Sequence, residues 1–121
     1  MRYVDGFVLP VPKKSLPAYR EMARQAARVW RKYGALEYVE AAGDDLNPKW
    51  AAIKFPQTVK AKPGETVVFS FIVFKSRAHR DRVNAKVMKD PLMNDPKYKD
   101  KPMPFDMKRM VYGGFKVLVE T

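Results

Sequence analysis

One acidic residue, Asp5, stands among aromatic residues in a segment that alternates as a β-strand does. Tyr3 and Phe7, two positions away on either side, share its face of that strand. A carboxylate surrounded by aromatic rings loses solvation, which raises its pKa and suits it to general-base catalysis. The structural alternative is that Asp5 accepts hydrogen bonds from Tyr112 or Arg109, as buried polar groups usually do. Asp5 is the catalytic residue that we predict if the protein is an enzyme.

A second group of polar residues, Asp106, Arg109 and Tyr112, lies near the C-terminus, where a loop enters a predicted strand. The forked donor of an arginine and the hydroxyl of a tyrosine can together orient an anionic or carbonyl ligand. The alternative is a salt bridge that ties the loop to the strand. With polar residues of the other strands, the predicted ligand-binding set is Tyr3, Tyr38, Ser70, Arg109 and Tyr112.

Three further polar features are predicted to be structural. His79 is the one histidine and falls on a solvated helix edge, and without cysteine the chain lacks the ligands of a zinc site. Asn84 lies in the apolar arc of the same helix, where we expect backbone atoms of the 90–105 loop to bind it. Asp44 and Asp45 offer too few oxygen atoms for calcium and are typical of a turn. We therefore predict no metal and no cofactor.

The charge of the chain is strongly positive, with 24 Lys and Arg against 13 Asp and Glu, a net charge of +11. Four arginines recur along one side of the first predicted helix: Arg20, Arg24, Arg28 and Arg31. This stripe predicts either a phosphate-binding face for nucleic acid or an ordinary solvated face. The strands lack the Lys/Arg-Gly-aromatic run of RNA-recognition domains, which disfavours RNA binding on the sheet. Nucleic-acid binding on the helix face stays an alternative.

The apolar periodicity and the chain breakers predict six elements that must position these residues. Strands are predicted over 3–9, 35–42, 66–74 and 108–119, and helices over 16–33 and 77–89. We expect Ser15 and Ser76 to cap the helices and Gly34 to end the first one. Gly113 and Gly114 permit a bulge or a close backbone approach in the last strand. The order β-α-β-β-α-β predicts an α+β, ferredoxin-like antiparallel sheet with both helices on one face.

The third predicted strand is apolar on both faces, which indicates that both faces of the sheet are covered. One set of strand residues carries no charge and is predicted to face the helices: Val4, Gly6, Val8, Val67, Phe69, Phe71, Val73, Val111, Phe115 and Val117. The other set is predicted to form the opposite face: Tyr3, Asp5, Phe7, Tyr38, Glu40, Val68, Ser70, Ile72, Met110 and Tyr112. We expect a second copy of the protein to cover this second set, leaving a partly polar cavity.

The size of the chain, 121 residues with 46% hydrophobic residues, predicts a single domain over 1–121. The lack of cysteine fits a reducing compartment. The N-terminus runs directly into the first strand without a signal-peptide pattern, and no apolar run approaches the length of a membrane span. We expect a soluble, cytoplasmic protein with no membrane partner.

Six segments resemble the YbaA-like bacterial family of unknown function: 3–7, 33–36, 43–45, 65–70, 80–91 and 103–115. Together they extend the resemblance over essentially the whole chain. The resemblance implies the dimeric α/β-barrel form of the ferredoxin-like fold, and it implies no reaction. The chain departs from the usual family pattern at Ala41 and Ala42, at Phe71 and Phe74, and in the 46–58 segment, which contains Trp50.

Together these features predict a homodimeric α/β-barrel protein that binds a small organic ligand in a sheet-face cavity. Related barrels catalyse reactions without bound cofactors, so a cofactor-independent enzyme is compatible with this prediction by analogy of fold. Two alternatives are a nucleic-acid-associated protein that uses its basic helix face and a purely structural or interaction dimer.

Overall fold

The computed structural model describes residues 1–94 and 103–121, so the middle of the predicted 90–104 loop lies outside the described residues. Its main elements are β1 (Tyr3–Pro12), α1 (Leu16–Lys32), β2 (Glu37–Ala42), α2 (Phe55–Thr58), β3 (Glu65–Phe74), α3 (Arg77–Met88) and β4 (Val111–Lys116). The four strands form one antiparallel sheet in the order β2-β3-β1-β4. The predicted ferredoxin-like arrangement is confirmed. The short α2 lies between the second and third predicted strands, where no helix or strand was predicted.

The first helix, α1, packs on the sheet through Tyr19, Ala23 and Val29, which are buried. It ends where predicted, because Gly34 has a φ of +115°, a left-handed conformation that glycine adopts without strain. Ser15 precedes the helix, but its side chain makes no capping hydrogen bond, contrary to our expectation.

The long helix of the second half, α3, begins at the predicted cap. The hydroxyl of Ser76 accepts a hydrogen bond from the backbone N–H of His79 at 3.1 Å. Val83 and Val87 are fully buried on the side of the helix that faces the sheet. Asn84, on the same side, accepts a hydrogen bond from Nε1 of Trp30 at 3.0 Å, which joins α3 to α1. This described partner belongs to α1 and not to the 90–105 loop.

A buried carboxylate, that of Asp90, ties the end of α3 to the end of α1. It accepts hydrogen bonds from the hydroxyl of Tyr33 at 2.7 Å and from the backbone N–H of Leu92 at 2.8 Å, and it pairs with Lys32 at 3.2 Å. These bonds lower the pKa of Asp90. The pairing fixes the spacing of the two helices above the sheet.

The strand register places Asp5 beside Ile72 of β3 and beside Gly114 of β4. Pairing with β4 continues through Gly113 and Gly114 without a bulge. Gly114 provides a close approach instead, because the Tyr3 ring occupies the space that a β-carbon would need. The strand is shorter than predicted. Residues 107–109 form a 3₁₀ turn, capped by the carboxylate of residue 106, in place of its first residues.

The helices cover the face of the sheet opposite to the one that we predicted. Two buried clusters join sheet to helices, and their strand residues are Tyr3, Leu9, Val11, Val68, Ile72 and Phe74. The set that contains Asp5 and Ser70 therefore lies under the helices. Alternation defines the two sets of residues, but on a strand that is apolar on both faces it does not determine which set the helices contact. The polar groups are tolerated beneath α3 because this helix supplies a charged partner, described below.

The other face of the sheet, here called the open face, is formed by Val4, Gly6, Val8, Glu37, Val39, Ala41, Phe69, Phe71, Val73, Val111, Gly113 and Phe115. Phe115 is 61% exposed and Phe69 is 44% exposed. The Phe115 ring lies against the paired Gly6 and Gly113, which have no side chains of their own to cover. Its one charged residue, Glu37, stands at an end of β2. The centre of this face is apolar and accessible.

Candidate functional site

An arginine that projects from α3 organises the polar residues under the helices. Nη1 of Arg80 lies 3.1 Å from Oδ1 of Asp5 and donates to the hydroxyl of Tyr112 at 2.7 Å. Nη2 donates to the hydroxyl of Tyr3 at 3.5 Å, and the guanidinium stands 4.9 Å from the centre of the Tyr3 ring. We call these four residues the Arg80 cluster. It brings together three of the six residues predicted to form a site.

The carboxylate of Asp5 is 2% exposed, and burial raises its pKa. The charge of Arg80 and hydrogen bonds from Tyr112 and Asn84 act in the opposite direction, but the net shift is upward. Both interpretations of the sequence therefore describe part of the geometry. Asp5 is desolvated, as a general base would be, and it is also hydrogen-bonded, although through Arg80 and not Arg109.

The central member of this cluster, Arg80, was missed in the sequence. The signal was present, because Arg80 shares one helical face with Val83, Asn84 and Val87 at spacings of three, four and seven residues. A charged residue in line with the buried face of a helix requires a buried counter-ion. Asp5 was a candidate, since it was predicted to lie in the middle of a strand among aromatic residues.

A groove of about 940 Å³ runs between α1 and β2. On its wall, Glu40 accepts a hydrogen bond from the hydroxyl of Tyr19 at 2.7 Å and another from the hydroxyl of Tyr38 at 2.9 Å. Burial and the charge of Glu40 raise the pKa of both tyrosines, so each phenol keeps its proton. The rest of the lining includes the apolar Leu16, Ala23, Ala27 and Val68, with Arg20 and Arg24 at the rim.

The remaining predicted residues are Ser70 and Arg109. Ser70 is buried and sits between Phe7 of β1 and Glu40 of β2 in the strand register. Arg109 binds both oxygens of Glu65, at 2.7 and 2.8 Å, and also binds Asp106 at 2.9 Å. A third acceptor of Arg109 is a backbone carbonyl, that of residue 60. Arg109 thus joins the turn before β4 to the start of β3, which is the salt bridge that we gave as its structural alternative.

The sequence comparison decides the family. Residues 2–107 match the family model described as "Protein of unknown function (DUF1428)". The chain belongs to this family. Uncharacterized protein YbaA of Escherichia coli K12 is 46% identical over 120 residues, which cover 99% of each chain, and the same values hold for Uncharacterized protein YbaA of Shigella flexneri. The resemblance to the YbaA-like family is confirmed, and the DUF1428 relatives are uncharacterised.

Two solved structures share the fold of this DUF1428 protein. One is described as a dimeric ferredoxin-like protein from an uncultured marine organism, with a TM-score of 0.59, 11% identity and full coverage of both chains. The other is the de novo designed protein Foldit4, with a TM-score of 0.50, 8% identity and coverage of 98% of this chain and 100% of the design. At such low identity the likeness shows the fold alone.

Neither a metal site nor a membrane span is found in the described part of this DUF1428 protein. Within residues 1–94 and 103–121, His, Cys, Asp and Glu side chains form no group of three or more that could hold a metal ion. In the same ranges no helix is both long and apolar enough to cross a membrane. His79 accepts a hydrogen bond from the backbone N–H of Lys75 at 3.0 Å, and partial burial and nearby cations lower its pKa. The geometry gives His79 a role at the start of α3.

The arginine stripe predicted on the first helix lies on the outer side of α1, and all four side chains are exposed. Arg24 stands 3.7 Å from Glu21 in an exposed ion pair, which contributes little. Arg31 donates to the backbone carbonyl of Leu36 and so contacts the chain beyond the helix end. The stripe thus consists of four exposed arginines on the helix layer of this family member, one of them paired with an acid.

The pair between Arg109 and Glu65 gives the first prediction, a dependence of stability on pH. Hydrogen bonds from Arg109 lower the pKa of Glu65 from 4.5 to about 2. A carboxyl pKa lowered by folding stabilises the protein above its ordinary value, and this contribution is lost as the pH falls from 4.5 towards 2. We expect Arg109→Met to remove much of this acid-side slope and to lower the melting temperature at pH 7 by about 5 °C. Thermal unfolding between pH 2 and pH 7 measures both effects.

The matched control for this prediction is Lys108→Met. Lys108 is exposed, and the substitution removes one positive charge at the position next to Arg109. The control variant should keep the dependence of stability on pH, and its melting temperature should stay within about 1 °C of that of the unchanged protein. Equal slopes for Arg109→Met and the unchanged protein would show that the pair does not stabilise the fold.

Proposed function

We propose that this DUF1428 protein is a homodimer that binds a small organic molecule in the groove between α1 and β2 of each subunit. In the dimer the two sheets pack through their open faces and the helices lie outside, as in a dimeric α/β barrel. The observation that carries ligand binding is the Glu40 carboxylate, held by two tyrosine hydroxyls on the wall of a cavity of about 940 Å³.

The exposed apolar centre of the open face supports the homodimer. An accessible sheet face with Phe69 and Phe115 on it is the kind of patch that marks an association surface. The solved structure with the same fold is described as dimeric, which supports the same proposal for this chain. A two-fold symmetric dimer covers the patch on both subunits at once, because each copy presents the same surface to the other.

The chemistry of the groove supports a ligand with an apolar body and a hydrogen-bond donor. Glu40 receives one phenol on each carboxylate oxygen, and each oxygen has a further lone pair for a ligand N–H or O–H. The two phenol protons are directed to Glu40, so the tyrosine oxygens also remain acceptors. The apolar lining contacts the body of the ligand. Arg20 at the rim favours a molecule that also carries a negative group, whereas Arg24 is paired with Glu21, which lines the same groove.

A catalytic role for Asp5 would need a molecule that reaches the Arg80 cluster, because Asp5 is 2% exposed and does not line the groove. The raised pKa of Asp5 suits a general base, and Tyr112 and Arg80 fix its orientation. Asp5→Asn keeps the shape of the side chain and removes the base. Turnover of such a molecule without a cofactor should fall by about 100-fold or more in this variant, with circular dichroism to verify its fold because Arg80 is left without its counter-ion.

Ligand binding in the groove is tested with Glu40→Gln. We expect ligand-observed NMR against a library of small organic acids, amines and neutral aromatics to find binders of the unchanged protein, and the substitution to weaken them about tenfold. The matched control is Glu37→Gln, since Glu37 lies on the same strand but on the open face. Equal affinities for all three proteins, or no binder in the library or in native mass spectra of the purified protein, would contradict the proposed groove site and favour a structural dimer.

A second candidate function, nucleic-acid binding, is supported by the exposed arginines of α1. Phosphate binding by this stripe would fall steeply as salt rises. The measurement is RNA and DNA binding in a salt series, with Arg24→Glu and Arg28→Glu combined in one variant. An affinity that is absent, independent of salt or unchanged in the variant excludes this function.

A further inference from the structure

The segment between β2 and β3 exposes large apolar side chains although it is not part of the sheet. Trp50 is 88% exposed and Ile53 is 76% exposed, and both lie in the irregular chain before α2. Phe55, the first residue of α2, is half exposed. We call residues 46–58 the loop arm. Side chains of this size, collected on one short loop, expose an amount of apolar surface that a protein surface rarely leaves uncovered.

The loop arm stands on the open-face side of the sheet. At its first end, the backbone N–H of Gly43 donates to the carbonyl of Val67 at 2.7 Å, and the Leu46 side chain lies against Gly43. At its second end, the rings of Phe55 and Phe69 are 6.3 Å apart, edge to face. Since Phe69 belongs to the open face, the apolar surface of the arm is continuous with that of the sheet.

The size of the open face indicates that the sheet alone makes a small interface. Four strands that share about six residues cover roughly 20 by 20 Å, or roughly 400 Å². A stable protein dimer buries about 800 Å² on each partner. The loop arm adds the remaining apolar area at the edge of the same surface, where a second copy packed on the sheet would meet it.

We propose that the loop arm of each subunit packs against the partner subunit and that Trp50 is its anchor. This inference rests on the proposed homodimer and names the residues that complete its interface. A tryptophan placed at the edge of a sheet interface buries a large area at low cost in conformational entropy, as the anchors of protein interfaces do. Charge favours the same occupant, because the arm carries Lys49 and Lys54 while the charged residue of the open face is an acid, Glu37.

The experiment compares the solvent accessibility of the two tryptophans in the dimer and in a monomeric variant. Both are labelled with 5-fluorotryptophan, and Trp50→Phe assigns their ¹⁹F resonances. Trp30 is the internal control, because its side chain projects from α1 to α3, where it donates a hydrogen bond to Asn84. Relaxation by a soluble gadolinium chelate should act several-fold less on Trp50 in the unchanged protein than in a Phe115→Asp monomer, and equally on Trp30 in both.

The second measurement is the dimer dissociation constant by sedimentation. Trp50→Ala should raise it by about 30-fold, the effect of removing an interface anchor, while Met88→Ala should leave it unchanged because Met88 is exposed on α3. If Trp50 stays accessible in a dimer and Trp50→Ala leaves the constant unchanged, the role of the loop arm is overturned and the sheet-face dimer stands. If the unchanged protein sediments only as a monomer, the homodimer itself is overturned.

Discussion

Replacing Arg80 by methionine is expected to destabilise the protein by about 3 to 5 kcal/mol at pH 7, the usual cost of leaving one partner of a buried ion pair alone. Asp5 would keep its place under the helices without the opposite charge 3.1 Å away. The stem of methionine fills most of the space of the arginine stem, so the loss is mainly electrostatic. Urea unfolding at constant pH gives the difference in the free energy of unfolding.

The pH dependence of the same variant separates charge from packing. Burial already raises the pKa of Asp5, and without Arg80 the pKa rises further. A carboxyl pKa raised by folding costs stability as the pH rises from the ordinary value of 3.8 through the folded pKa. The penalty of Arg80→Met should therefore be largest at neutral pH and shrink towards pH 4. A penalty independent of pH would show that lost packing, and not an unpaired carboxylate, causes it.

Two further variants complete this test. Asp5→Asn combined with Arg80→Met removes both charges and should recover part of the stability that Arg80→Met alone loses. Arg82→Met is the matched control, since Arg82 is exposed on the same helix. We expect it to change the free energy of unfolding by about 0.5 kcal/mol or less.

Phe115→Asp is expected to convert the proposed dimer to monomer. Phe115 is exposed in the subunit and lies across the glycine pair at the centre of the open face. A carboxylate there would be buried without a partner in the dimer and solvated in the monomer, so the substitution acts on association and hardly on the subunit fold. The free energy of dimer dissociation should fall by about 2 kcal/mol or more, which raises the dissociation constant roughly 30-fold.

Sedimentation at several protein concentrations, with circular dichroism to verify folding, tests this prediction. Val111→Asp, on the same face of β4, should act in the same direction. Lys116→Asp is the control, because the register places Lys116 on the helix side of β4. A Phe115→Asp protein that remains a dimer with an unchanged constant would exclude the open face as the interface.

Much of the fold follows from local signals in the sequence. The apolar face of α1, the end of that helix at Gly34 and the cap at Ser76 each depend on a few neighbouring residues. The order of elements then limits the chain to few topologies. Two local expectations, the cap at Ser15 and the start of the last strand, were wrong. Ser15 makes no cap, and the turn before β4 replaces strand because Asp106 and Arg109 bond to each other and to the backbone.

The choice of the face under the helices could not be predicted from alternation. Both sets of β3 residues are apolar, so their burial energies are similar. We placed the set with Asp5 on the dimer side because the other set carries no charge. The opposite is true because Arg80 and the tyrosines provide hydrogen bonds under the helices. The position of Arg80 on the buried face of α3 is a local signal, but it does not identify a partner 75 residues away.

The structure brings only some of the predicted site residues together, because contacts between distant parts of the chain decide their positions. Tyr3, Asp5 and Tyr112 come together because β1 pairs with β4. Arg109 was assigned to them by its position in the chain, but its geometry is decided by Glu65 on another strand. The partners of Glu40 come from α1 and from its own strand, and only the packing of α1 on the sheet brings Tyr19 to it.

The two faces of β3 have a consequence for how such a protein can diversify. Ser70 and Ile72 point to the polar residues under the helices, while Phe69 and Phe71 point to the open face. Neighbouring positions of this strand therefore pack in different surroundings, one under the helices and the next on the open face. A substitution at an even-numbered position of β3 alters the residues beneath the helices, whereas a substitution at an odd-numbered position alters the open face. A single ten-residue strand thus gives the lineage two independently adjustable surfaces.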